Sequence, residues 1–302
     1  MNELAQRLNK ANVGKVWLNE PLKHHTTLKI GGPADILIQP KDKEGLITAV
    51  NITKEHGIPY RVIGRGSNLL VRDGGIRGAV IKVGEGLDYL LVEDDKVTAG
   101  AGFSFIKLAT MIAKQGLSGL EFAGGIPGTV GGAVYMNAGA HGSDVSRVLL
   151  SAQILFDDGE LATLSNEELN FSYRTSVLQK ERKGICLEAT FQLEKGDREE
   201  IMKIMSQNKD YRKQTQPLQQ PCCGSVFRNP KPYSAGRLIE EAGLKGFRIG
   251  DAQISTKHAN FIVNLGNATA RDVLALIEHI QQTIAEKYGV HMHPEVEVVG
   301  EW

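Results

Sequence analysis

A chain of 302 residues with 41% hydrophobic and 23% charged residues is long enough for two or three domains with buried cores, and the composition excludes a disordered or fibrous protein. Its 35 lysines and arginines balance 35 aspartates and glutamates, so no net field favours nucleic acid or an anionic membrane, and an anionic ligand must be met locally. No apolar run reaches the roughly 18 to 20 residues of a membrane span. The opening MNELAQRLNK lacks the apolar core of a signal peptide, so a cytoplasmic protein is expected. The cysteines agree: Cys186 stands alone and Cys222 and Cys223 are adjacent, which is neither a disulfide framework nor a zinc spacing.

The elements alternate along the chain. A helix is predicted over Glu44 to His56, stopping at Gly57, and YRVIG reads as a buried strand that runs into the small loop GRGSNLL. GAVIKV is a further strand. The helix SFIKLATMIAKQG starts near Ser104 and ends at Gly116. VLLSAQILF and ELATLS, separated by a turn with Asp158 and Gly159, predict a hairpin, and ICLEATFQLEKG predicts another strand. DREEIMKIMSQNKDYRKQTQP is a charged helix ended by Pro217, and the shift in composition marks the passage into a new domain. The last long helix opens with Thr269 and Asp272 as caps, carries Val273, Leu276, Ile277, Ile280 and Ile284 on one face, and stops at Gly289.

One stretch does not fit a helix or a strand. GGIPGTVGGAVYMNAGAHG, residues 124 to 142, holds seven glycines in nineteen positions and no Asp, Glu, Lys or Arg. Glycine at such density is tolerated where φ must be positive or where something approaches the backbone closely, and a bound phosphate is the obvious candidate. A linker would be rich in Ser, Pro and charge, whereas this run interleaves Ile126, Val130, Val134, Tyr135 and Met136. GRGSNL and GAGFSF lack the third glycine of a dinucleotide fingerprint, and no GxxxxGK[ST] occurs, which argues against a Rossmann site or a P-loop. What remains is two backbone-rich loops, Gly64 to Asn68 and Gly124 to Gly132, whose peptide N–H groups form anion-binding concavities that one long diphosphate ligand would use together. Ser67, Asn68 and Thr129 add side-chain donors there. Tight turns between packed elements are the plainer alternative.

Six segments, HTTLKIGGPAD, VIGRGSNLL, GLEFAGGIPGTVGGAVYMNAGAHG, FSYRTS, CGSVFRNP and PEVEVVG, stand in the order and spacing of the UDP-N-acetylenolpyruvoylglucosamine reductases, and the chain resembles that family over almost its whole length. The resemblance implies an α+β fold. It would hold a two-part FAD-binding region of the vanillyl-alcohol-oxidase type over residues 1–83 and 84–196, a substrate domain over 197–290, and a C-terminal strand, 291–302, returning to the active site. It implies non-covalent FAD and NADPH as co-substrate, for reduction of UDP-N-acetylglucosamine enolpyruvate in peptidoglycan precursor synthesis. Partners would then be small molecules, with neither nucleic acid nor membrane insertion. The cofactor contacts implied are Gly64, Arg65, Gly66, Ser67, Asn68, Gly125, Ile126, Gly128, Thr129, Gly132, Ala138 and Gly139. Family members with an additional loop after the SYR segment carry a tyrosine that closes over the substrate. Here SYRTSVLQKERKGICLEATF runs straight into the next strand, so the chain resembles the shorter subtype, and neither Tyr173 nor Tyr211 takes that role.

Reducing an enolpyruvyl ether needs a hydride, a group that stabilises the enolate developing at the carboxylate, and a proton donor. A planar, permanently charged guanidinium suits the second task, assisted by a neutral carboxylic acid that donates a hydrogen bond. By motif match these are Arg174 and Glu295, and the proton falls to Ser225. Arg212, Lys213, Arg228 and Asn229 concentrate donors for a UDP-sugar around that serine. Two other enzyme readings stand beside this one, and a third reading, a flavin- or nucleotide-sugar-binding protein without catalysis, would be supported by loss of Arg174, Ser225 or Glu295, all of which are present. HMHPE places His291, His293 and Glu295 at alternate positions, as a metallohydrolase would need, although three ligands so close in one strand seldom converge and no second cluster supports them. An FAD-dependent sugar or alcohol oxidase would keep the fold and change the reaction. Cys222 and Cys223 read as small residues filling a tight turn, having no CxxC partner.

Overall fold

The computed structural model describes residues 1–302. Helix α1 (Asn2–Lys10) leads to strands β1 (Gly14–Pro21) and β2 (Pro33–Pro40), then to helix α2 (Lys43–Glu55). Asp42 caps α2 by accepting from Gly45 N at 2.6 Å, and the helix ends before Gly57 as its pattern predicts. Five strands follow: β3 (Tyr60–Ile63), β4 (Leu69–Val71), β5 (Ile76–Lys82), β6 (Leu90–Glu93) and β7 (Lys96–Gly100). Helix α3 (Phe105–Lys114) starts at Ser104, and a short helix α4 (Val130–Met136) lies inside the glycine-rich run, where the sequence predicts only a loop. Strands β8 (Leu149–Phe156) and β9 (Leu161–Ser165) form the predicted hairpin, and β10 (Gly184–Gln192) follows. The charged helix is α5 (Arg198–Thr215), which stops just short of Pro217. The remainder comprises α6 (Ala235–Glu241), β11 (Arg248–Ile249), β12 (Ala252–Ile254), β13 (Ile262–Asn264), α7 (Ala270–Tyr288) and β14 (Glu297–Val299).

These elements form two compact units with separate cores. The first comprises Met1–Leu18, Ile36–Arg65 and Ala79–Tyr211. It carries a sheet of order β1-β2-β5-β3, in which β3 runs parallel to β5, and a five-stranded antiparallel sheet of order β9-β8-β10-β7-β6. Phe105, Phe156 and Phe191 are buried in its core together with the apolar faces of α2 and α3. The second unit comprises Asn19–Asp35, Gly66–Gly78 and Arg212–Trp302. It holds the antiparallel strands β11-β12-β13 and the parallel pair β14 and β4, in which Glu297 is opposite Leu69 and Val299 opposite Val71. Helices and largely antiparallel sheets give the α+β class that the resemblance implies.

This packing division differs from the sequence boundaries at 83/84, 196/197 and 290/291. Leu28, Ile30 and Leu70 are buried in one cluster with Val226, Phe227, Leu276 and Ile280. Two early segments therefore belong to the C-terminal core, a non-local arrangement that local composition does not mark.

Helix α7 shows how closely local chemistry specifies one element. All five residues of its predicted apolar face, Val273, Leu276, Ile277, Ile280 and Ile284, are buried. Asp272 N donates to Thr269 Oγ1 at 3.1 Å, and Thr269 N donates to Asp272 Oδ2 at 2.9 Å, a reciprocal capping box. Asp73 caps the same end from elsewhere in the second unit, its carboxylate accepting from Ala270 N at 2.9 Å and Arg271 N at 3.3 Å. Thr269→Ala is expected to lower stability by about 1 kcal/mol, read as a lower urea midpoint at unchanged slope. An unchanged midpoint would mean that Asp73 alone suffices to hold the helix start.

Candidate active-site residues

In the first unit Gly64, the first residue of one glycine-rich loop, meets Thr129 of the other. Gly64 follows β3 directly, and a Cβ placed on it would lie 2.6 Å from Thr129 Oγ1, so the approach of the two loops requires a bare backbone at this position. Thr129 is buried and caps α4 by accepting from Gly132 N at 3.3 Å. Gly128 has φ +146°, a conformation that side-chain-bearing residues rarely adopt. Its carbonyl accepts from Phe105 N at 3.1 Å, while Val130 N and Gly131 N donate to Phe103 O and Ala101 O at 2.9 Å. The loop is therefore laced to the start of α3 rather than loose. Residues 124 to 128 are half-buried, and Ile126 packs against the core. Arg65 is exposed.

Arg174 occupies a tight turn. Ser172 and Thr175 exchange both backbone hydrogen bonds at 3.0 Å, and Arg174, between them, takes φ +56°, the left-handed region that non-glycine residues seldom enter. Several groups hold it there. Asn137 Nδ2 donates to Ser172 O at 3.0 Å, Gln179 Nε2 donates to Arg174 O at 3.2 Å, and Ser176 Oγ donates to Tyr135 O at 2.7 Å. The half-buried guanidinium donates through Nη2 to Gly139 O at 2.8 Å and lies 5.2 Å from the Tyr173 ring centre. Arg174 is thus joined to Gly139 within the glycine-rich run, and the adjacent Ala138 is fixed by donating to Ala133 O at 2.9 Å. A strained backbone at a charged side chain is a common mark of a functional position.

The second unit brings together Ser225, Glu295 and Asn68. Glu295 N donates to Val226 O at 2.7 Å, so the carboxylate-bearing residue is one hydrogen bond from the neighbour of the serine. Asn68 Nδ2 donates to Glu295 O at 3.1 Å, and Glu297 N donates to Asn68 O at 2.9 Å. Ser225, Glu295, Ser67 and Arg228 are half-buried. Gly66 is buried in the same unit, where a Cβ would strike His25 O at 2.4 Å.

The residues proposed for the nucleotide-sugar fall into three situations. Arg212 Nε is buried and has no hydrogen-bond partner, as is Gln216 Oε1 one turn on, and burial pushes the guanidinium pKa down, partly countered by the nearby Cys222 thiol. Lys213 is exposed. Asn229 is exposed, and its Oδ1 accepts from Ala235 N at 2.9 Å, so it also caps α6. No group of three His, Cys, Asp or Glu side chains is placed to hold a metal ion, and His291 and His293 are exposed. Cys222 O accepts from Thr27 Oγ1 at 2.7 Å and Cys223 is part of the core. Burial raises both thiols, that of Cys223 to about 12, which suits packing and not nucleophilic chemistry.

Sequence reasoning did not single out Asn137, which forms the left-handed end of α4, or Asn260, which is buried against Phe227. Their signal is an asparagine in an apolar setting, where an unpaired amide is costly.

Residues 34–165 match the family described as FAD binding domain, and residues 216–299 match the family described as UDP-N-acetylenolpyruvoylglucosamine reductase, C-terminal domain. The UDP-N-acetylenolpyruvoylglucosamine reductase of Anoxybacillus flavithermus is 62% identical over 300 residues, 99% of each chain. The Bacillus subtilis enzyme of that name is 59% identical over 300 residues, again 99% of each chain. Among solved structures, the UDP-N-acetylenolpyruvylglucosamine reductase of Thermus caldophilus superposes with a TM-score of 0.79 at 40% identity, covering 94% of this chain and 98% of that one. With full-length identity at this level and two matched domains, the chain belongs to the UDP-N-acetylenolpyruvoylglucosamine reductase family of FAD-dependent oxidoreductases.

Proposed function

We propose that Arg174, Ser225 and Glu295 carry out the reaction of this family. That reaction is the NADPH-dependent reduction of UDP-N-acetylglucosamine enolpyruvate to UDP-N-acetylmuramate in peptidoglycan precursor synthesis, with FAD as cofactor. The observation that supports the pairing of Ser225 with Glu295 is the backbone hydrogen bond, 2.7 Å long, that ties Glu295 to the residue after Ser225, and Arg174 is supported by its left-handed, hydrogen-bonded turn.

The residues of the two loops suit a flavin dinucleotide. The bare backbone at Gly64, where a Cβ would lie 2.6 Å from Thr129 Oγ1, supports a phosphate-bearing ligand at these loops. Gly64 to Asn68, Gly125, Ile126, Gly128, Thr129, Gly132, Ala138 and Gly139 would hold it. Bound FAD supplies the hydride that originates in NADPH. Arg174 pairs with the substrate carboxylate, where negative charge develops, and its anchored turn means that little reorganisation is needed. Glu295, as the neutral acid, donates a further hydrogen bond to that charge. Ser225 delivers the proton that completes the reduced ether. The buried, unpartnered Arg212 Nε supports a contact with the nucleotide-sugar diphosphate, with Arg228, Asn229 and Lys213 around it. The same reading places the enzyme in the cytoplasm acting on small molecules, in keeping with three free cysteines and with equal numbers of acidic and basic residues. No helix is long and apolar enough to cross a membrane.

The test is spectroscopic. Purified protein is expected to show the visible flavin bands, to lose them on addition of NADPH under nitrogen, and to regain them when the enolpyruvyl substrate is added. Bleaching by a sugar or alcohol, with recovery only on admission of oxygen, would replace the reductase with an oxidase.

A further inference from the structure

We propose that Asn260 is the positioning residue that sets Ser225 in register with Glu295. The proposal rests on the roles given above to those two residues. Asn260 is 5% exposed, and both polar atoms of its side-chain amide bond the backbone of one residue. Phe227 N donates to Asn260 Oδ1 at 2.9 Å, and Asn260 Nδ2 donates to Phe227 O at 2.9 Å. The Asn260 main chain extends the grip, its carbonyl accepting from Val226 N at 2.9 Å. Asn260 is itself held, because its N–H donates to His258 Nδ1 at 3.2 Å, and Ser255 Oγ accepts from Lys257 N and His258 N at 3.1 and 3.3 Å.

The other flank of the same three residues faces the C-terminal segment. Val226 O accepts from Glu295 N at 2.7 Å and from Val296 N at 3.3 Å, and Arg228 N donates to His293 O at 3.0 Å. Val226–Arg228 belongs to no regular sheet, and Phe227 pairs by an isolated bridge with Pro294, a residue that has no N–H to give. The amide of Asn260 supplies what a neighbouring strand would otherwise supply, one acceptor and one donor at fixed spacing. Removing either function frees the segment that carries Ser225 at one end and bonds Glu295 along its side. A displacement on the order of 1 Å is enough to cost about 100-fold in rate.

An aspartate at this position keeps the size and loses the donor, so Phe227 O is left facing an oxygen. In the Asn260→Asp holoenzyme, bleaching by NADPH is expected to stay within about twofold of normal, while recovery of the flavin band with the enolpyruvyl substrate slows roughly 10- to 100-fold. Amide exchange at Phe227 should accelerate in the same protein. The double variant Ser225→Ala/Asn260→Asp should be no slower than Ser225→Ala alone, since a residue acting through the serine has nothing left to position. If the aspartate variant does not accumulate as folded holoenzyme, Asn260→Ser, which admits water in place of the amide, is expected to give the same split between half-reactions. Equal slowing of both half-reactions, or multiplied losses in the double variant, would overturn the proposal in favour of a general structural role. A slowed Ser225→Ala beside an unimpaired Asn260→Asp would overturn the positioning role alone. An unimpaired Ser225→Ala would overturn the assignment of the proton donor beneath it.

Discussion

Alanine at position 225 is expected to leave bleaching by NADPH near its normal rate, while recovery of the flavin band with the enolpyruvyl substrate slows by about 100-fold or more, the contribution of a positioned general acid. The asymmetry follows from chemistry, because only the second half of the cycle ends with a proton on carbon. Ser225 is half-buried, and the segment after it is held by Asn260 on one flank and Glu295 on the other, so removal of one hydroxyl leaves the backbone supports intact. Ser225→Cys should retain more activity than Ser225→Ala, since a thiol also donates a proton. Equal loss in the two half-reactions would mean that the substitution disturbed the flavin site or the fold.

The second large effect belongs to Gly128. Valine there meets φ +146°, where a β-branched residue is strained by roughly 1 to 3 kcal/mol. The hydrogen bonds made by Phe105, Val130 and Gly131 anchor the Gly128 carbonyl and the residues after it, so the strain is released by distortion of the loop. Gly128→Val is therefore expected to be purified folded but largely without FAD, with far-UV circular dichroism close to normal because most of the first unit's core lies in its sheets and in α1, α2 and α3. A variant that keeps its full complement of flavin would remove this loop from the cofactor site.

The elements that could be read in advance are those whose causes are local. The face of α7 and its capping box, the stop of α2 before Gly57, the hairpin closed at Gly159 and the end of α5 ahead of Pro217 each depend on residues within a few positions of one another. Helix α4 escaped notice because two of its seven residues are glycines, and what stabilises it is tertiary: the Thr129 cap and the burial of Val130, Ala133 and Val134. The division into units escaped for a similar reason, as nothing in the composition of Asn19–Asp35 points to a core nearly 200 residues away. At the candidate site, Arg174, Ser225 and Glu295 were accessible through residue type and motif. The left-handed turn that presents Arg174 and the amide clamp at Asn260 were not, since both arise from conformation and contact rather than from spacing.

The interleaving of the two units bears on how the protein is made. Leu28, Ile30 and Leu70 leave the ribosome long before Val226, Leu276 and Ile280, the residues they are buried with. The first unit is complete once Tyr211 has emerged, but two stretches of nascent chain that belong to the second must wait, apolar side chains uncovered, until the last segment, Arg212–Trp302, has been synthesised. A fragment beginning at Arg212 would lack three of its own core side chains, so the second unit cannot be obtained by cutting the gene at a single point. The step that closes this core, and with it orders the segments that carry Ser225 and Glu295, thus follows the synthesis of Arg212–Trp302.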